Sequence, residues 1–131
     1  STAAITVMDL LPWRESAVIR RKLVLSTVKC KTNFCFEGIT YDIKGNVFYA
    51  LQELGPMRVW RVNPGSGTAS LVLDPAPGGW PGMRDLAGAY FRANSTSGLY
   101  LLSQATQNVA RVDFNGTLVN KVQVRDNMVE G

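Results

Sequence analysis

The residues best suited to chemistry in this sequence are three carboxylates, Glu37, Asp85 and Glu130, each placed within three residues of a glycine. The chain contains no histidine, which removes the usual general base, the Ser-His and Cys-His nucleophile pairs and histidine-ligated metals. Converging carboxylates without histidine suit a hard cation such as calcium, which takes oxygen ligands in irregular geometry. The alternative is that each carboxylate accepts hydrogen bonds from backbone N–H groups of a neighbouring structural unit and helps to set the spacing between the units.

Four further side chains are candidates for binding. Glu53 and Gln104 each end a run of apolar residues, so they either point into a pocket at the mouth of the fold or mark where a strand reaches solvent. Trp80 and Met83 lie in a loop rich in proline and glycine, and interface cores favour such side chains. Either they contact a partner protein, or Trp80 folds back to cover a gap between structural units.

Cysteine and asparagine positions bear on the compartment. Cys30 and Cys35 are either paired in a small disulfide loop or two ordinary thiols, and a zinc site would need further ligands that the sequence does not offer. Asn94 and Asn115 each begin a triplet that fits the glycosylation acceptor pattern, at places where turns are expected. We therefore expect an extracytoplasmic setting: secreted, in a cell envelope or in an organelle lumen.

Composition is that of a folded globular chain, with 46% hydrophobic and 18% charged residues. The net charge of +4 is mildly basic, but aromatic residues do not alternate with the cations, so we predict no nucleic-acid partner. No apolar stretch reaches the roughly 18 residues of a membrane helix, so we predict no membrane-spanning segment.

Alternating apolar residues predict short strands, first in GNVFYALQE (45 to 53), MRVWRVN (57 to 63) and TASLVLD (68 to 74). After a loop at 75 to 84 the same order returns, offset by about 50 residues, and glycine-containing turns recur with it. The segment SAVIRRKLVL (16 to 25) is predicted to be mostly strand. A four-stranded unit that recurs in this way is typical of a β-propeller blade.

We therefore predict an all-β fold, a partial β-propeller with about two complete four-stranded blades and two partial ones. Within one propeller segment, residues 1–35 would be the end of a blade and a linker, 36–84 and 85–128 two blades, and 129–131 the start of the next. Two or three blades leave large apolar faces open, so partners should include the rest of a propeller. A self-contained small β-sandwich is the structural alternative.

The motifs FEGITYD, NVFYALQE, VWRVN, DLAG, LYLLSQ, ARVDFNGT and VEG resemble, in that order, the later blades of the SdiA-regulated (YjiK-like) propeller family. The resemblance covers residues 14 to 131 and implies a six-bladed ring related to TolB-like and phytase-like propellers. It also implies an extracytoplasmic or envelope-associated protein of poorly defined activity. Ala87 stands where the first repeat has Glu37, so a ring of equivalent carboxylates is incomplete.

Two functions follow from this fold. In a propeller the first strand of each blade lines the central channel, so Glu37, Asp85 and Glu130 would converge near one channel mouth. The first hypothesis is a non-catalytic binding or scaffold module, in the cell envelope or as a subunit of a large extracytoplasmic assembly, because the sequence contains no convincing catalytic set. The second is a calcium-dependent hydrolase of the lactonase or phosphoesterase kind, in which calcium polarises the substrate and a carboxylate acts as base.

Overall fold

The structure, a computed structural model, describes residues 2–30, 35–53, 55–77, 79–93 and 98–124. These residues form strands and one short 3-10 turn, Pro12–Arg14, and no α-helix. The strands are β1 (Thr2–Leu11), β2 (Ser16–Lys29), β3 (Phe36–Asp42), β4 (Val47–Gln52), β5 (Arg58–Val62), β6 (Ala69–Leu73), β7 (Gly88–Tyr90), β8 (Leu99–Ser103), β9 (Asn108–Val112) and β10 (Leu118–Gln123). The predicted all-β fold is confirmed.

The strands form three antiparallel sheets in which each strand pairs with the next along the chain. β1 and β2 form a two-stranded sheet, called the hairpin below. Sheet 1 has the order β3-β4-β5-β6, and sheet 2 pairs β7, β8, β9 and β10 in the same sequential order. The segment 16–25 lies inside β2, as predicted, while sheet 1 lies within 36–84 and sheet 2 within 85–128.

Corresponding turns of the two sheets are closed by corresponding side chains. Asn63 Oδ1, after β5, accepts hydrogen bonds from the backbone N–H groups of Gly65 and Ser66 at 2.7 and 3.1 Å. Asp113 Oδ1, after β9, accepts from the N–H groups of Asn115 and Thr117 at 2.9 and 2.8 Å. Asn and Asp favour turns because their oxygens bond to the backbone a few residues on. These turns are therefore hairpin turns built on one repeated pattern.

Sheet 1 lies between the hairpin and sheet 2, because both of its faces are apolar. Successive side chains of a strand point to opposite faces, and β4 carries apolar side chains on both faces. The face toward sheet 2 carries Val47, Tyr49, Leu51, Val59 and Leu73, which share a core with Leu99, Leu101, Ala110 and Val112. The face toward the hairpin carries Ala50, Val62 and Ala69, which share a core with Ala3, Ile5, Leu23, Leu25 and Val28.

Gly38, the glycine of the acid-glycine pair, allows β3 and β7 to approach closely. A Cβ on Gly38 would lie 3.0 Å from the Cα of Gly88 and 3.0 Å from Cδ1 of Leu51. The backbone N–H of Phe91 donates to Thr40 Oγ1 at 3.0 Å and joins the two sheets nearby. Glycine thus has a packing reason to follow Glu37, since the first strands of the two sheets nearly touch there.

Candidate functional sites

Three carboxylates, Glu37, Glu53 and Asp85, form what we call the acidic corner. The antiparallel register of β3 and β4 pairs Phe36 with Gln52, which brings the start of β3 beside the end of β4. The N–H of Glu53 donates to the carbonyl of Cys35 at 3.1 Å. Desolvation raises the pKa of Glu53 above its usual 4.5, and the negative charges of Glu37 and Asp85 raise it further.

Asp85 is buried and already has hydrogen-bond partners. Its carboxylate accepts from Ser103 Oγ at 2.5 Å and from the N–H of Ala105 at 3.1 and 3.2 Å. Thr106 Oγ1 donates in turn to Ser103 Oγ at 2.6 Å. These donors lie at the end of β8, so the Asp85 carboxylate links the segment before β7 to the end of β8 within its own sheet. The prediction that carboxylates bond to a neighbouring unit is therefore not met at Asp85.

The predicted calcium ligands are only partly brought together. Glu37 is exposed, Asp85 is buried at the same corner, and Glu130 lies outside the described residues. Among the residues that the structure describes, no three His, Cys, Asp or Glu side chains form a group that could hold a metal ion. Glu53, assigned separately to a pocket mouth by sequence, belongs to this corner. The pairing of the end of β4 with the start of β3 is the signal that links Glu53 to Glu37.

The raised pKa of Glu53 gives a pH-dependent prediction. The folded protein binds the proton more tightly than the unfolded chain, so this group favours folding at acidic pH, and that contribution is lost as pH rises through its pKa. We expect Glu53→Gln to increase stability at pH 7 relative to wild type and to make no such difference near pH 4. Urea denaturation at both pH values measures this. Equal effects of the substitution at the two pH values would contradict the account.

Gln104 is exposed and not part of the acidic corner. It lines a shallow cavity of about 250 Å³ together with Leu102, Ser103, Gln107 and Val124. Its carbonyl accepts the N–H of Gln107 at 3.2 Å, within the turn that follows β8. A binding role for this side chain stays a prediction.

Trp80 and Met83 are buried, which corrects the prediction that they contact a partner protein. They are 3% and 2% exposed and belong to the core shared by sheets 1 and 2. The indole N–H of Trp80 donates to the carbonyl of Gly116 at 2.9 Å. Trp80 folds back over the gap between the sheets because it can bury its ring there and still satisfy its polar atom.

The sulfurs of Cys30 and Cys35 lie at disulfide distance, 1.95 Å. This disulfide ties the end of the hairpin to the start of sheet 1. Asn115 is exposed in the turn between β9 and β10, where its glycosylation stays a prediction. Asn94, the other acceptor, lies outside the described residues.

Removing the disulfide should lower stability moderately. The two cysteines are five residues apart, and the chain-entropy model gives about 2 kcal/mol for so short a loop. We expect Cys30→Ala/Cys35→Ala to lose that much free energy of unfolding in urea. The wild type measured in reducing agent should match the double variant, and equal stability of the oxidised and reduced proteins would contradict the prediction.

One face of sheet 2 is left open by the described part of the chain. It carries Leu102 and Val122, 39% and 59% exposed, beside the half-buried Tyr100 and Val109. In the repeat, Tyr100, Leu102 and Val109 correspond to Tyr49, Leu51 and Val59. Those three side chains of sheet 1 are at most 6% exposed because they pack against sheet 2. Sheet 2 therefore presents to solvent the same kind of face that sheet 1 buries.

The hairpin also carries exposed apolar side chains on the side away from sheet 1. Ile5 and Leu23 pair on the inner side, so the neighbouring pair of Ala4 and Val24 faces outward. Val24 is exposed, as are Met8, Leu10 and Ile19 farther along the hairpin. Strands with two apolar faces are typical of sheets that lie between two other layers.

Comparison with known proteins identifies a family. A family model described as SdiA-regulated matches residues 4–130, a span that includes the hairpin and both sheets. No curated protein matches the chain. The match confirms the resemblance deduced from the order of the motifs. Within the described ranges, no helix has the length and apolar character needed to cross a membrane.

Proposed function

Because the chain belongs to the SdiA-regulated family, we propose that it is a non-catalytic β-propeller module for binding or scaffolding. Its stacked sheets would continue into further sheets of the same kind, and the loops of the assembled propeller would be free to bind protein partners. The module would be extracytoplasmic, which the pairing of Cys30 with Cys35 and the exposed acceptor Asn115 support.

The observation that carries this proposal is the open face of sheet 2. Tyr100, Leu102 and Val109 repeat the residues with which sheet 1 packs on sheet 2, so another sheet can pack there in the same way. Exposed contiguous apolar faces mark interaction surfaces in soluble proteins. A face with this pattern is suited to protein contact.

The alternative, a calcium-dependent hydrolase, has one observation in its favour. The negative charges of Glu37 and Asp85 raise the pKa of Glu53, so the three carboxylates lie at one corner. Against it, Asp85 already accepts hydrogen bonds from Ser103 and Ala105. Calcium titration by calorimetry decides between the two functions: saturable binding that Glu37→Gln removes would favour the hydrolase, and its absence would favour the binding module.

Sedimentation velocity tests the open face directly. We expect the chain to self-associate as its concentration rises, because water is excluded when apolar faces meet. Leu102→Asp, on the open face, should shift the association midpoint to at least tenfold higher concentration. Ile43→Asp is the matched control, since Ile43 is 77% exposed in a turn away from that face. A monomer at all concentrations, or equal effects of the two substitutions, would contradict the proposal.

A further inference from the structure

A groove of about 340 Å³ runs between the hairpin and sheet 1. Its walls are consecutive residues, Ala4, Ile5 and Thr6 of β1 and the segment Phe36–Ile39 of β3, and Ala50 of β4 completes the lining. Successive side chains of a strand point to opposite faces, so a wall made of consecutive residues is the edge of a strand. The groove therefore lies between two strand edges.

Both edges have unpaired backbone in the described part of the chain. β3 is the first strand in the order of sheet 1, and β1 pairs with β2 alone. Apart from the ladder with β2, no backbone hydrogen bond reaches the segment Ala4–Thr6 among the described residues. Free N–H and C=O groups along an edge can pair with an added strand.

The repeat shows which strand belongs beside β1. β1 and β2 precede β3 in the chain as β5 and β6 precede β7. In sheet 1, β5 has β6 on one side and β4 on the other, with Val59 paired to Leu51 and Trp60 to Ala50. β4 also contacts β7 of the next sheet. The corresponding position, beside β1 and against β3, is the groove.

We propose that this groove takes an extended segment that pairs with the free edge of β1, as β4 pairs with β5. The segment is a strand of another sheet of the same repeat. It adds a strand to the two of the hairpin, toward the four that sheets 1 and 2 each contain. This inference rests on the proposed function and names the partner of one of its open surfaces.

The lining of the groove sets the chemistry of the segment. Phe36 is only partly buried and offers apolar contact, and Ile39 is 49% exposed at the wall. Every second side chain of the segment should therefore be apolar, as in β4, where Val47, Tyr49 and Leu51 lie on one face. Glu37 is the charged side chain of the lining, so a basic residue opposite it is favoured over an acidic one.

A synthetic peptide with the sequence of residues 45–53, GNVFYALQE, serves as the probe, because it contains β4. Fluorescence anisotropy of the labelled peptide, titrated with the full chain, measures binding. We expect saturable one-to-one binding that is weakened at least tenfold by Ile39→Asp and unchanged by Ile43→Asp. N-methylation of the peptide backbone at alternate residues along each edge should abolish binding, because strand pairing then lacks its N–H donors. Circular dichroism of each variant confirms that it is folded.

Three results would overturn the proposal: no saturable binding, binding indifferent to N-methylation, or binding lost with Leu102→Asp and kept with Ile39→Asp. The last result would place the peptide on the open face of sheet 2. The proposed function has its own readout in self-association and its loss on Leu102→Asp. If that holds while the peptide fails to bind the groove, strand docking is wrong and the binding module stands.

Discussion

Replacing Trp80 with alanine is expected to lower the free energy of unfolding by about 3–5 kcal/mol, the usual cost of truncating a buried aromatic side chain. Trp80 is 3% exposed and belongs to the core in which sheets 1 and 2 meet. Its removal opens a cavity between the two sheets and takes away the donor to the carbonyl of Gly116. Urea denaturation followed by circular dichroism measures the loss.

Trp80→Phe separates packing from hydrogen bonding. Phenylalanine keeps most of the apolar contact but cannot donate to Gly116, so a smaller loss of about 1–2 kcal/mol is expected. Trp13→Ala is the matched control, because Trp13 is exposed on the hairpin. If Trp80→Ala cost no more than Trp13→Ala, the burial of Trp80 between the sheets would be refuted.

Gly38→Ala is expected to cost about 1–3 kcal/mol, the range for forcing extra atoms into a packed interior. The new Cβ would meet the backbone of Gly88 and the side chain of Leu51, each at 3.0 Å. A side chain can rotate away, but the backbone of β7 can give way only by moving the strand. Thermal or urea unfolding measures the cost.

Gly88→Ala is the matched control within the same repeat. A Cβ on Gly88 would lie 3.5 Å from the Cβ of Leu102, an ordinary van der Waals contact. Alanine also reduces the conformational freedom of the unfolded chain, so the substitution should be neutral or stabilise by up to about 1 kcal/mol. Equal losses from Gly38→Ala and Gly88→Ala would show that strand propensity, and not the close approach of β3 and β7, determines the cost.

The sequence predicted the order of the strands well, because their signals are local. Alternating apolar residues and recurring turns identify β4 and β8 as equivalent, and the Asn63 and Asp113 turns confirm that equivalence through the same hydrogen bonds. The continuous apolar run of β4 also agrees with its position, since both faces of sheet 1 are buried. Such features need no knowledge of distant contacts.

The site was less predictable, because its contacts join residues far apart in the sequence. Nothing local shows that Ser103 would donate to Asp85 or that the Trp80 ring would reach Gly116. A loop rich in proline and glycine has no periodicity, so the burial of Trp80 could not be read from it. In the pair Glu37-Gly38 the sequence indicated a role for the acid, whereas the packing of β3 against β7 depends on the glycine.

The central claim is that the sheets of this chain continue into further sheets that stack in the same way. Val129-Glu130-Gly131 corresponds in the repeat to Leu86-Ala87-Gly88, so a second copy of residues 89–124 can be fused after Gly131 in register. In a repeat protein each added unit stabilises its neighbour through the shared interface. The fused sheet should therefore cover the open face of sheet 2 and bring Gly131 against Gly88.

The most direct test is the cost of Gly88→Ala in the natural chain and in the fused chain, measured by urea denaturation. The account predicts a near-neutral effect in the natural chain and, in the fused chain, a loss as large as that of Gly38→Ala. A near-neutral effect in both chains would contradict it, because the open face of sheet 2 would then not be a surface on which another sheet stacks.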